Sequence, residues 1–361
     1  MSRIQSKVHS KLHSKLHSKL PAKSVLGLGA VLAVSTSALA GCGQSVSAQS
    51  TSGNGSSVSG TLNWYTSEPL KDAQKFKTAF EKKYPKVHVK VFRSGTEQVV
   101  SKIMTEQKAG KVQADVVLLA DAPTFQIFKD KGMLLSYHSP EDSKIPKEFI
   151  DKNYDFVGTK AIVTGIIYNT NLVHTPPTDW SSLYAPSAKG QVTMPSPNYS
   201  GAAAYNLGVL TRSKGIGWNF YKQLHKNQVV VGKGNGGVVT KVAQGQMKYG
   251  MVIGFMAESA KQKGSPVNFV YPKSGSPVIT EPVGIMKDTH NKAAAEAFEN
   301  FLLSAQGQKM AVQMDYVPLR KEIAPPKGLK SISDFKVLSV STKTLADNRS
   351  QDKKKFASLM Q

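Results

Sequence analysis

The chain has 361 residues, with 47 Lys and Arg against 24 Asp and Glu, for a formal net charge of +23. Its one cysteine excludes an intramolecular disulfide and a cysteine-built metal cluster. So basic a surface attracts polyanions, and nucleic acid is the first partner class to weigh.

The first forty residues argue against nucleic acid. Arg3, Lys7, Lys11, Lys15, Lys19 and Lys23 stand in a segment without acids, and an apolar run over residues 25–38 follows. A charged start, a short apolar core and the small residues of Leu39-Ala40-Gly41-Cys42 make a secretory signal. The run falls short of the roughly 20 residues that a spanning helix needs. The cysteine at the cut resembles the bacterial lipoprotein signal, which implies a lipid at Cys42 and a mature chain beginning there. An exported chain has no nucleic acid to meet. Wall polymers, acidic lipid headgroups and a small anionic ligand remain as partners. The repeated Ser-Lys-Val/Leu-His unit of residues 6–17 leaves with the leader, and its histidines with it. Residues 43–59 are rich in Ser and Gly and nearly uncharged, the composition of a flexible tether to the membrane.

The folded part opens with alternating strands and helices. Leu62 and Trp64 mark a strand, and Leu70, Ala73, Phe76 and Phe80 fall at helical spacing before Pro85. Val87, Val89 and Val91 alternate as a second strand. Ser94-Gly95-Thr96-Glu97 reads as a capping box for a helix carrying Val99, Val100, Ile103 and Met104. Residues 116–119 are apolar throughout, as in a strand buried on both faces, and Ala120-Asp121-Ala122-Pro123 opens another helix. This βαβαβ order predicts an α/β fold with a parallel sheet. Ligands of such sheets sit at the carboxyl ends of strands, which brings Thr66, Ser67, Ser94, Gly95, Thr96 and Asp121 to one rim.

A second α/β set follows. Residues 161–168 form an apolar strand, residues 180–183 a short helix and residues 191–194 a strand. The loop containing Ser196, Asn198, Tyr199, Ser200 and Gly201 leads into a helix at residue 202. Hydroxyls and glycine at a helix start suit an anion, and they equally suit an ordinary N-cap. Gly232-Lys233-Gly234-Asn235-Gly236-Gly237 satisfies G-x-G-x-x-G after a strand, with Glu258 in place for a ribose contact. An exported protein meets little dinucleotide. Glycines that let N–H groups converge serve any phosphate or phosphonate, and Lys233 adds charge.

These residues now carry a resemblance. Trp180-Ser-Ser-Leu183, Pro186, Lys189-Gly190, the stretch from Val239 through Gly245-Gln246 to Gly250-Met-Val-Ile253, and Tyr316-Val-Pro-Leu-Arg320 resemble one family. It is the extracellular solute-binding proteins of ABC importers, in the branch that takes ferric iron, phosphonates and sugar phosphates. The resemblance implies the two-lobed periplasmic-binding-protein type II fold, with strands crossing near residues 161–168 and 281–285 and a helix over residues 291–314 returning to the first lobe. It further implies a first lobe of residues 60–164 and 283–361, a second of residues 165–282, ligand in the cleft and a membrane permease as partner. We expect a monomer that needs no cofactor.

Iron-binding members of the family carry adjacent tyrosines where this chain has Phe255-Met256, and His88, His138, His174, His225 and His290 lack ligand spacing. Anion capture by hydroxyls and amides is therefore the expected chemistry, with no metal. Ferric iron through Tyr65, Tyr199 and Tyr316 is the alternative ligand. An enzyme finds little support: Ser333-Asp-Phe-Lys336 fits S-x-x-K, but its companion motifs are absent. How the lysine-rich residues 321–361 are arranged does not follow from their pattern.

Overall fold

The computed structural model describes residues 58–361, so the leader, Cys42 and the tether as far as residue 57 lie outside the described residues. The first lobe runs β1 (Gly60–Thr66), α1 (Leu70–Lys83), β2 (Val87–Arg93), α2 (Thr96–Lys108), β3 (Val116–Leu118), α3 (Ala122–Asp130), β4 (Leu134–Leu135) and β5 (Val157–Gly158). Strand β6 (Lys160–Asn169) then enters the second lobe. There follow β7 (Val192–Pro195), α4 (Gly201–Arg212), α5 (Gly217–Lys226), β8 (Val230–Gly232), α6 (Asn235–Ala243), β9 (Tyr249–Ile253), α7 (Gly254–Gln262), β10 (Val267–Val270) and β11 (Ser276–Ile279). The chain returns through β12 (Pro282–Met286), α8 (Lys292–Leu303) and α9 (Ala305–Val312). It ends with β13 (Val317–Pro318), β14 (Val337–Leu338) and α10 (Thr342–Leu359).

One sheet has the order β2-β1-β3-β12-β4 with β5 beside β12, and the other β14-β11-β6-β9-β7-β8 with β10 and β13 beside β6. Strands β1, β2 and β3 are parallel, whereas β12 lies antiparallel to β3, as a strand arriving from the other lobe. All ten residues of β6 are buried, which explains its unbroken apolar pattern. Ala73, Phe76 and Phe80 of α1 are spaced so that one face meets the sheet. They join Trp64, Phe298 and Phe301 in the first core, while Trp180, Phe220 and Tyr221 anchor a separate core in the second lobe.

Two local expectations are corrected. The helix foreseen over residues 291–314 is two helices broken at Ser304. That residue is extended, and its hydroxyl accepts from the Gly307 N–H at 3.2 Å to cap α9. The capping box of Ser94 and Glu97 does not form. Gly95 caps α2, Ser94 Oγ donates to Gln98, and the Glu97 carboxylate turns to Arg349 and Lys353.

That turn belongs to the last helix. α10 packs on α3 of the first lobe and on α4 and α5 of the second. Arg349 is buried between Glu97 at 2.6 Å and Asp121 at 2.9 Å. Three residues on, Asp352 takes Arg212 of α4 at 2.6 Å, and Phe356 packs edge-on against Tyr221. The basic C-terminal stretch thus straps the two lobes together. Removing one partner of a buried ion network leaves uncompensated charge, at a cost of about 3–5 kcal/mol. Arg349→Ala should lower unfolding free energy by that amount in denaturant titration. Lys353→Ala, at a more exposed contact, should cost about 0–1 kcal/mol.

Candidate ligand-binding cleft

Between the lobes lies a cavity of about 400 Å³. The carboxyl ends of β1 and β2 bring Ser67 and Arg93 to it, and the start of α2 brings Gly95 and Thr96. The second lobe contributes residues 199–202 and 233–237 and, past β9, Phe255 and Met256. Helices α2, α4, α6 and α7 all start at this cavity, after the cap residues Gly95, Ser200, Gly234 and Ile253. Among these caps only Ser200 bonds its helix through a side chain, accepting from Ala203 N–H at 3.2 Å. The positive dipole ends of these four helices therefore lie at the cavity. Lys233 holds its ammonium 4.9 Å from the centre of the Tyr199 ring, and Arg93 Nε donates to the Glu68 carbonyl at 2.7 Å. Asn235 ties the loops together, donating to Ser200 Oγ at 3.3 Å and accepting from Ile253 N–H at 3.4 Å. The arrangement can hold a small anion by direct N–H and ammonium donation.

The structure gathers Ser67, Gly95, Thr96, Tyr199, Ser200, Gly201, Lys233, Gly234, Asn235, Gly236 and Gly237 around the cavity. It sets the other candidates aside for local reasons. Thr66 is fully buried and accepts from Glu68 N–H at 3.1 Å. Asp121 caps α3 through Thr124 N–H at 2.8 Å and neutralises Arg349. Ser196 Oγ accepts from the N–H of Asn198, itself exposed, and Ser94 is bonded to Gln98. Sequence reasoning passed over Arg93 and Glu281. Arg93 ends a strand two residues before Gly95, so the strand-end rule reaches it. Glu281 carried no local signal.

The lobes meet across the cavity through glycines. A Cβ on Gly201 would sit 2.6 Å from Thr96 Oγ1, and one on Gly95 would sit 2.6 Å from the Tyr199 carbonyl oxygen. The Glu97 N–H donates to that same carbonyl at 3.4 Å. Lobe closure here depends on the missing side chains.

The hinge side is acidic. Lys160 at the start of β6 is 1% exposed, with its ammonium between Glu68 and Glu281, 3.1 Å from Oε2 of the latter. Its ammonium also lies 4.9 Å from the Tyr316 ring centre. Burial, with Glu68 adding to it against the opposing pull of Lys160, pushes the Glu281 carboxyl up to about 7. Burial raises Glu68 as well, and raises Asp72, to which Tyr316 donates at 3.3 Å. Burial would neutralise Lys160, but the two carboxylates outweigh it and keep the ammonium charged. Of the three candidate phenols for iron, Tyr199 alone lines the cavity. Tyr65 donates to Glu106 at 2.9 Å, Tyr316 is committed to Asp72, and the Phe255 ring lies 4.0 Å from that of Tyr316. Among the described residues no three His, Cys, Asp or Glu gather as a metal site.

Two α/β lobes joined by crossing strands around an interlobe cavity make up the periplasmic-binding-protein type II fold. The chain belongs to the bacterial extracellular solute-binding proteins, whose family pattern matches residues 75–336. It is thus a substrate-binding protein of the ABC importer class. Periplasmic binding protein AfuA from Actinobacillus pleuropneumoniae, solved with fructose-6-phosphate bound, superposes with a TM-score of 0.76 at 22% identity. That likeness covers 83% of this chain and 98% of AfuA. Iron-bound HitA from Pseudomonas aeruginosa gives a TM-score of 0.72 at 21% identity, over 82% of this chain and 99% of HitA. Both likenesses establish the fold. The phosphoglycerate transport regulatory protein PgtC of Salmonella typhimurium is 29% identical over 137 residues, 37% of this chain and 34% of PgtC. No helix among the described residues is long and apolar enough to cross a membrane.

The glycine contact yields a test. Overpacking a tight contact costs about 1–3 kcal/mol. Gly201→Val should therefore hold the lobes apart and weaken ligand on the order of 10- to 100-fold. Solution scattering should record a larger radius of gyration in the presence of saturating ligand than wild type gives.

Proposed function

We propose that this chain is a lipid-anchored receptor that captures a small phosphorylated or phosphonate solute in its cleft and hands it, unchanged, to a membrane permease. The convergence of four helix N-termini with Arg93 and Lys233 on one cavity carries this reading. Donors fixed by the backbone need no reorganisation to meet an anion, and a cavity of this volume suits a small solute. The sugar phosphate in AfuA and the phosphoglycerate in the name of PgtC support a phosphate-bearing ligand. HitA keeps ferric iron as the competing reading, and the commitments of Tyr65 and Tyr316 weigh against it. Reversible capture calls for no cofactor and no catalytic group, and the receptor acts as a monomer. Cys42 carries the lipid, and residues 43–59 hold the receptor off the outer face of the membrane.

A ligand at 100 times its dissociation constant stabilises the folded form by about 2.7 kcal/mol. Each kcal/mol raises the melting temperature of a domain this size by about 2–4 °C. The delipidated domain should show a saturable upward shift with phosphate esters or phosphonates and leave them intact. Gly236→Leu with Lys233→Ala should abolish the shift while the fold persists. A coloured ferric complex, or turnover of the compound, would overturn the proposal.

Anchoring has its own test. Cys42→Ala should release the protein from membranes or leave an unprocessed precursor, read by fractionation and mass. Processed, membrane-bound Cys42→Ala material would refute the anchor.

A further inference from the structure

The cleft holds two opposed chemistries, and the acidic one is incomplete. Glu281 lines the same cavity as the helix N-termini, yet it is 5% exposed and sits at φ 38°, a conformation that costs a non-glycine residue energy. It is held there by the crossing strands: the Thr159 hydroxyl donates to its carbonyl at 2.7 Å. The groups facing its carboxylate are Lys160 from β6, Glu68 from the loop after β1, Asp72 from α1 and Tyr316 ahead of β13. Tyr316 spends its proton on Asp72, so Lys160 is the sole donor in this set. One ammonium therefore serves two buried carboxylates. Glu281 Oε2 and both oxygens of Glu68 lack a well-directed hydrogen bond. A buried carboxylate that shares its one donor with a second acid is costly, and it can be completed by a proton or by a donor entering the cavity.

We infer that Glu281 is a specificity-determining residue whose carboxylate receives a hydrogen-bond donor, hydroxyl or ammonium, carried by the ligand beside its anionic group. This rests on the anion reading above and narrows it to hydroxy- or amino-bearing phosphates and phosphonates. A bare phosphate or a simple alkyl ester engages the helix N-termini and leaves Glu281 uncompensated. In the empty receptor Glu281 takes up a proton as pH falls through about 7, so donor-bearing ligands bind best above that pH.

Three probes separate the possibilities by calorimetry at pH 8: ethyl phosphate with no donor, glycerol 3-phosphate with hydroxyls and phosphoethanolamine with an ammonium. Hydrogen bonds to a charged group set the expected size of the effect, on the order of 10- to 100-fold. Wild type should prefer at least one donor-bearing probe over ethyl phosphate by that factor. Glu281→Gln should erase the preference by weakening the donor-bearing probe, while ethyl phosphate, freed from the carboxylate's repulsion, binds at least as well as to wild type. A loss confined to phosphoethanolamine assigns an ammonium, and a loss for glycerol 3-phosphate a hydroxyl.

The empty protein supplies an independent readout. A carboxyl raised in the folded state binds its proton there between its unfolded value and about 7, so stability falls as pH rises through that window. Glu281→Gln should flatten that fall in melting temperature between pH 5 and 8, and its folding is protected because it leaves Lys160 paired one-to-one with Glu68. Identical pH profiles for the two proteins would overturn the inference. So would equal binding of all three probes, or an equal loss of all three in Glu281→Gln, with the anion reading left standing. Failure of every probe to bind would overturn both.

Discussion

A single buried ammonium stands where the lobes join. Lys160 begins the strand that carries the chain into the second lobe, and it neutralises an acid from the first lobe, Glu68, and an acid from the returning strand, Glu281. Tyr316, at the third segment passing through this region, lies under the same ammonium. Lys160 also pairs with β13 through its backbone, and Thr159 holds the Glu281 carbonyl. Charges removed from water bind tightly only when each finds its partner, so the crossing segments are held in one register around this group.

From there the two lobes bring different chemistry to one cavity. The second lobe offers backbone N–H groups at the starts of α4, α6 and α7, with Lys233, and the first offers α2 and Arg93. These donors cannot reach a shared ligand unless the lobes come close. Gly95 and Gly201 allow that approach, because a Cβ at either would overlap the opposing lobe. The acidic hinge gives the cavity a polarity that helix N-termini alone would not.

The C-terminal helix adds a constraint on closure. Arg349 binds two acids of the first lobe that flank the cleft, Glu97 next to Thr96 and Asp121 next to Ala120, while Asp352 and Phe356 grip the second lobe. α10 therefore couples the rim of the cleft to the relative placement of the lobes. It also explains why Asp121, at a strand end where a ligand would sit, is turned to a cation of its own chain.

Much of this was legible in the amino-acid order. The period-two and period-3.6 patterns brought out most of the first lobe and the core strands of the second, because each pattern reports which face of an element is buried, but they did not reach α5, α7 or α10. The strand-end rule and the glycine- and hydroxyl-rich turns brought out Ser67, Thr96, Ser200 and residues 233–237, because a helix start exposes N–H groups whatever the rest of the fold does. The order alone determined the class of fold and placed glycine- and hydroxyl-rich turns at helix starts. Tertiary structure decided the rest. Ser94 and Glu97 made a capping box on paper, but a buried guanidinium more than 250 residues away competes better for the carboxylate. Glu68, Lys160 and Glu281 are ordinary charged residues in the chain and become a coupled cluster only when three distant segments cross. Local patterns record burial and turn chemistry, whereas electrostatic partners depend on contacts between residues far apart in sequence.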